Sequence, residues 1–142
     1  MLAGPFNGIT NSFNAALSLH YTYTRATALN AYASADNSVG KQLIYVPQHV
    51  FSDAIQIEYK HLYLRSNLTY TSSVFISTDN TQSLPGYFVA DIEIGKDFKM
   101  KNVNVGLSFR VNNIADKHYE SIAQRAMPGR NFEGSLRFKF AK

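Results

Sequence analysis

The stretch NFEGSLRFKF, Asn131–Phe140, decides how the rest of the chain is read. Phe132, Gly134, Leu136, Phe138 and Phe140 alternate with Glu133, Ser135, Arg137 and Lys139. Successive side chains on a strand point to opposite faces, so this is a strand with one apolar, aromatic-rich face and one polar face. The same period of two recurs upstream. In VNVGLSFRVNN, Val103, Val105, Leu107, Phe109 and Val111 oppose Asn104, Ser108, Arg110 and Asn112. In YFVADIEIGKDF, Phe88, Ala90, Ile92, Ile94 and Phe98 oppose Asp91, Glu93 and Asp97. Leu62, Leu64, Leu68, Tyr70 and Val74 form the apolar side of a further strand, with Tyr63, Arg65, Asn67, Thr69 and Thr71 opposite. Phe51, Ile55, Ile57 and Tyr59 do so in VFSDAIQIEY, and Leu17, Leu19, Tyr21 and Tyr23 in AALSLHYTYT. No segment carries an amphipathic helix pattern.

The joints between these six segments alternate in length. Lys60–His61 and the KMKN stretch Lys99–Asn102 are tight turns. The stretches 25–48, 77–86 and 117–129 are long. The expected fold is therefore all-β, an antiparallel up-and-down meander of about six long strands. If KMKN pairs Phe98 with Val103, Asp91 falls opposite Arg110. Glu58 falls diagonal to Arg65 across the other turn. The polar faces then carry a charge ladder of Glu58, Arg65, Asp91, Arg110, Glu133 and Arg137, whose cross-strand pairs contribute about 0.2–1 kcal/mol each.

Composition narrows the function classes. The chain has 142 residues, enough for roughly one ordinary domain. There are no cysteines, which excludes a disulfide framework, thiolate metal sites and thiol catalysis. The net charge is +4, but the cations lie in short runs such as KDFKMK. The aromatics share the apolar face instead of interleaving with Lys and Arg, so no nucleic-acid surface is expected. No apolar run approaches the ~18 residues of a membrane helix. A membrane β-barrel needs no such run.

Periodicity leaves open which face is inside. In a soluble sandwich or small barrel, holding for example an apolar ligand, the apolar face packs inward. In a membrane barrel it meets lipid and the polar face lines the lumen. Strand length favours the membrane: spanning strands need about 9–11 residues, whereas soluble strands cluster near 5–6. Six strands are fewer than the ~8 of the smallest single-chain membrane barrels, so either partner chains complete the barrel or the chain is part of something larger, and the second is expected. The opening MLAGPFNGITNSFN lacks the pattern of a signal peptide, in keeping with that expectation.

Four segments carry a family resemblance. VNNIADKHYE (Val111–Glu120) resembles the "NlfDkxY" segment near the end of TonB-dependent outer-membrane receptors. MPGRNFEGSLRFKF resembles the "PGR" approach to that family's last strand, and LPGYFVADIEIG (Leu84–Gly95) its preceding downward strand. GKQLIYVPQHVFSDAIQIEY (Gly40–Tyr59) is similar to the "P-x-H" start of an earlier one. The resemblance implies a transmembrane β-barrel of about 22 strands in the bacterial outer membrane, importing a scarce nutrient: an iron–siderophore complex, haem, cobalamin or a glycan. It implies no enzyme and no cofactor. Residues 15–140 would be C-terminal strands of that barrel, 1–14 an irregular lead-in or loop, and 141–142 a tail. The implied partners are the lipid bilayer, the rest of the receptor (plug and remaining strands) and the barrel-assembly machinery through the last strand. TonB would be reached only through segments outside this chain. By itself the chain would be incompetent for transport, and its open edges would favour self-association.

On this reading Phe132, Leu136, Phe138 and Phe140 face lipid, and the charge ladder faces the lumen. Tyr45, Tyr119, Arg125 and Arg130 lie on long external loops and are candidate ligand contacts. Arg130 serves equally as a tether between loops. His20, His49, His61 and His118 lack the spacing of a metal site. Asp36–Asn37 and Asp79–Asn80 fit Asx turns.

Overall fold

The structure, a computed structural model, describes residues 13–140 except 32, 33 and 35. Most of the lead-in 1–14 and the tail 141–142 lie outside the described residues. The strands are β1 (Asn14–Tyr23), β2 (His49–Tyr59), β3 (Leu62–Thr71), β4 (Val74–Phe75), β5 (Ser83–Leu84), β6 (Tyr87–Lys99), β7 (Val103–Asn112), β8 (Glu120–Ile122), β9 (Arg125–Ala126) and β10 (Asn131–Phe140). The six long ones form a single antiparallel sheet in the order β1-β2-β3-β6-β7-β10. Each long strand is thus hydrogen-bonded to the next long strand in the chain, which is a meander. The short pairs β4–β5 and β8–β9 are small hairpins inside the long loops. Val74, expected on the third strand, belongs to one of these: β3 stops at Thr71, and Ser72 turns its N–H to the carbonyl of His49.

The turn at Lys60–His61 closes directly between paired Tyr59 and Leu62. Both turn residues have positive φ, 48° and 68°, the two-residue geometry whose twist matches that of the flanking strands. The next tight turn corrects the expected register. Lys99 pairs with Asn104 and Phe98 with Val105, because the N–H of Met100 bonds the carbonyl of Val103 and closes the turn there. The partner of Arg110 is therefore Glu93, not Asp91. The slip is two residues, so every side chain keeps its face.

Among the described residues the sheet has a single layer, and its apolar face is uncovered. Leu17 is 63% exposed, Leu136 58% and Phe140 77%. Leu84, in a loop hairpin, is the one buried hydrophobic residue among those described. A soluble sandwich would bury this face against a second layer. Along it, aliphatic residues such as Leu19, Ile55, Ile57, Leu64, Leu68, Ile92 and Ile94 occupy the middle. Most aromatics gather at the ends: Tyr21, Tyr23, Phe51, Tyr70, Phe88 and Phe132 toward the long loops, and Tyr59, Phe98 and Phe140 toward the tight turns; Phe109, opposite Ile94 and stacked on Phe132, lies further in.

One residue on this face breaks the pattern. Asp53 pairs with Leu19 on one side and Leu68 on the other, so its carboxylate stands among leucines. Its Oδ1 is buried without a hydrogen-bond partner. An unsatisfied buried polar atom costs about 1–3 kcal/mol. Asp53→Leu should therefore raise the urea midpoint of the chain folded in detergent micelles by a corresponding amount. A lowered midpoint would mean that the carboxylate has a stabilising partner.

Candidate functional site: the polar face and the loop end

The pairing places Gln56, Arg65, Glu93, Arg110 and Glu133 side by side across five adjacent strands. Acid and base alternate along the row. Glu93 is its centre: its side chain is 11% exposed and lies between arginines 39% and 40% exposed. Arg110 donates through Nε and Nη2 to Glu93 Oε2, and Arg65 Nη1 stands 3.7 Å from Oε1. Tyr63 donates its hydroxyl to the same Oε1 at 3.1 Å, while its ring lies under the Arg65 guanidinium at 4.4 Å. Arg65 Nε also donates to Gln56 Oε1 at 3.3 Å. Both carboxylate oxygens of Glu93 are engaged by donors, so it is not a free general base. Glycine at 95 is required by this cluster: a Cβ there would collide with the Tyr63 ring.

Of the expected ladder, Arg65, Arg110 and Glu133 are in this row. Glu58 and Arg137 are on the same face in flanking rows, opposite Tyr63 and Gly106 respectively. Asp91 serves instead as a cap at the sheet's end, where its Oδ1 accepts the backbone N–H of Asn113 as the chain leaves β7. Sequence reading placed Glu93 on the correct face but not in the row. Which carboxylate meets Arg110 depends on where the Met100 turn closes, and the alternation of residues carries no signal for that.

Of the four loop candidates, three fall into two groups and one stands apart. Tyr45 lines an open cleft of about 280 Å³ together with Pro47, Val74, Pro85, Tyr87 and Glu120. Tyr119 packs on Tyr87, with ring centroids 4.3 Å apart, and burial pushes its hydroxyl pKa up. Tyr87 thus links two of the expected residues, although sequence reading did not single it out. Arg130 is a tether: its backbone N–H donates to Asp116 Oδ1 at 2.8 Å, and its guanidinium lies 3.6 Å from Oδ2. These contacts, the backbone N–H foremost, hold the Asp116 carboxyl below its usual range. Arg125 is exposed on β9 and outside both groups.

Hydrogen bonds knit the loops. Asn80 exchanges bonds with the backbone of Gln42, its Oδ1 accepting the N–H and its Nδ2 donating to the carbonyl, both at 2.9 Å. Asn113 Oδ1 accepts the Lys117 N–H at 2.8 Å, and its Nδ2 donates to the carbonyls of Lys117 and Pro128. Asp36 and Asp79 each accept the N–H two residues on, the Asx turns expected from sequence.

The family model described as "TonB dependent receptor-like, beta-barrel" matches residues 3–114. The chain belongs to the TonB-dependent receptor β-barrel family. It is 32% identical over 106 residues to the ferrioxamine B receptor of Salmonella typhimurium (strain SL1344), covering 70% of this chain and 14% of that receptor. Among solved structures, it matches BauA, the ferric preacinetobactin receptor from Acinetobacter baumannii, with a TM-score of 0.77 at 18% identity. That match covers 86% of this chain and 19% of BauA. The unliganded ferric citrate transporter FecA gives a TM-score of 0.73 at 21% identity over 87% of this chain and 21% of its own. These likenesses establish the barrel-wall fold of a TonB-dependent receptor. The named relatives are receptors and transporters, not enzymes. The chain spans about one seventh of the curated relative's length. The TonB-dependent receptor family resides in the outer membrane.

Asp79 shows how firmly one loop is set. The Ser77 hydroxyl donates to its Oδ1 at 2.6 Å, followed by the Thr81 N–H and hydroxyl, and its pKa falls from 3.8 to about 2. A depressed folded pKa stabilises the loop fully above the unfolded value, and that contribution is lost as pH falls through about 2. Ser77→Ala should raise the Asp79 midpoint toward 3.8, read from its carboxyl carbon shift by NMR. A midpoint that stays near 2 would rule out the Ser77 hydroxyl as the leading cause.

Proposed function

We propose that this chain forms C-terminal strands of an outer-membrane receptor barrel that imports a ferric siderophore. Residues 15–140 supply the wall. The uncovered apolar face of the six long strands is the observation that carries the reading. A strand of 10 residues is about 33 Å long and, tilted by about 40°, spans about 25 Å, the apolar height of an outer-membrane barrel. Aliphatic residues between two aromatic belts are the pattern of a lipid-facing surface, and Phe132, Leu136, Phe138 and Phe140 are its last strand. The polar row around Glu93 then faces the lumen, against the plug of the complete receptor.

Long loops on one end and tight turns on the other orient the wall, since outer-membrane barrels carry short periplasmic turns and longer external loops. Tyr45 and Tyr119 stand at the external end around Tyr87, with Arg125 exposed nearby in sequence, and these contact the incoming ligand. Arg130 holds its loop. The free edges of β1 and β10 pair with neighbouring strands of the complete barrel, because an open edge in a bilayer leaves backbone groups unsatisfied. The barrel-assembly machinery engages the last strand, and TonB acts through segments outside this chain. Isolated, the chain self-associates through the same edges.

Iron as cargo is favoured by the curated relative, a ferrioxamine B receptor. An antibody raised against the loop peptide 36–45 should label intact cells of the source bacterium, with labelling rising several-fold under iron starvation. Labelling that requires permeabilised cells would contradict the orientation. Labelling indifferent to iron would contradict the cargo.

A further inference from the structure

The apolar face differs in charge between its two rims. Among the described residues of the six long strands, Lys96 is the only lysine or arginine on that face. It pairs with Leu62 on one side and Leu107 on the other, at the end of the tight turns. Its ammonium stands 5.2 Å from the centroid of the Phe98 ring. Lys60, in the neighbouring turn, holds its ammonium 5.1 Å from the Tyr59 ring. Both lysines are exposed, and neither is in an ion pair among the described residues. The acids at this end, Glu58 and Asp97, are on the opposite, polar face, so they do not neutralise the pair. At the loop end the same face carries Tyr21, Tyr23 and His49 and no lysine or arginine in its strands.

We propose that Lys60 and Lys96 bind the phosphates of anionic phospholipids in the leaflet at the tight-turn end of the wall. The proposal rests on the bilayer reading above. A lysine whose stem lies on apolar surface extends its charge to the water interface, and an aromatic ring beneath it fixes the level of the ammonium. The ring occupies one side of the ammonium, and the remaining N–H groups are left for phosphate oxygens. Two such lysines on one rim, without a carboxylate on the same face, attract anionic headgroups by roughly fivefold each. Lys101, exposed in the following turn, adds to the same field.

The chain has no tryptophan, so Leu62→Trp, beside Lys96, provides a lone fluorophore on this rim. The full chain carrying it is reconstituted in phosphatidylcholine vesicles, and quenching by brominated phosphatidylglycerol is compared with quenching by brominated phosphatidylcholine. The expected result is preferential quenching by the anionic lipid. Lys96→Gln should reduce that preference about fivefold, Lys60→Gln should reduce it further, and Lys41→Gln at the loop end should leave it unchanged. Equal quenching by both lipids, or a preference that survives the double substitution, overturns the headgroup site while the bilayer reading stands. Absence of quenching by either lipid overturns the bilayer reading and the proposal with it.

Discussion

The continuous antiparallel ladder from β1 to β10 is the constraint on which the rest depends. It pairs the four inner strands on both sides, leaves one edge each of β1 and β10 open, and fixes each residue to one side of a single sheet. With no second layer among the described residues, the sheet leaves its apolar side uncovered. The two faces consequently meet different surroundings, and their chemistry divides accordingly. One is a field of Leu, Ile, Val and Phe with tyrosines at a rim. The other carries almost all the charge of the strands.

On the polar side, the ladder turns an alternation along the chain into an alternation across it. Arg65, Glu93, Arg110 and Glu133 are far apart in sequence, yet successive pairings bring them into one row. Glu93 is the least exposed of them, and both flanking arginines are drawn to it. Such a row stiffens the wall more than it offers chemistry. The loop end has the opposite character: Tyr45 is exposed beside the half-buried Tyr87–Tyr119 pair, while Asn80, Asn113 and Asp116 fasten the loops that carry them.

Much of the fold is legible in the residues because period two is a local property. NFEGSLRFKF announces β10 without reference to any partner, and Lys60–His61 falls between strands whose patterns end on either side of it. Register is different, since it is decided by where a turn closes. The Met100–Val103 bond sets the β6–β7 pairing two residues from the expected one, which preserves the faces and changes the partner of Arg110. Asp53 is inconspicuous in the sequence because one acid does not break a run of Phe, Ile, Ile and Tyr. Its placement between Leu19 and Leu68 needs the pairing of three strands. Tyr87 is inconspicuous for a similar reason: its partner Tyr119 is brought to it by loops, whose paths follow from hydrogen bonds and not from periodicity.

Lipid contact on the apolar face is the central claim, and the absence of cysteine from the sequence makes it directly testable. Single cysteines are placed in turn along Asn131–Phe140, spin-labelled, and the chain is reconstituted in phospholipid vesicles. Collision with oxygen, which concentrates in lipid, should peak at 132, 134, 136, 138 and 140. Collision with a water-soluble nickel chelate should peak at the positions between. Chelate access at the even positions, or no alternation at all, would contradict a membrane wall.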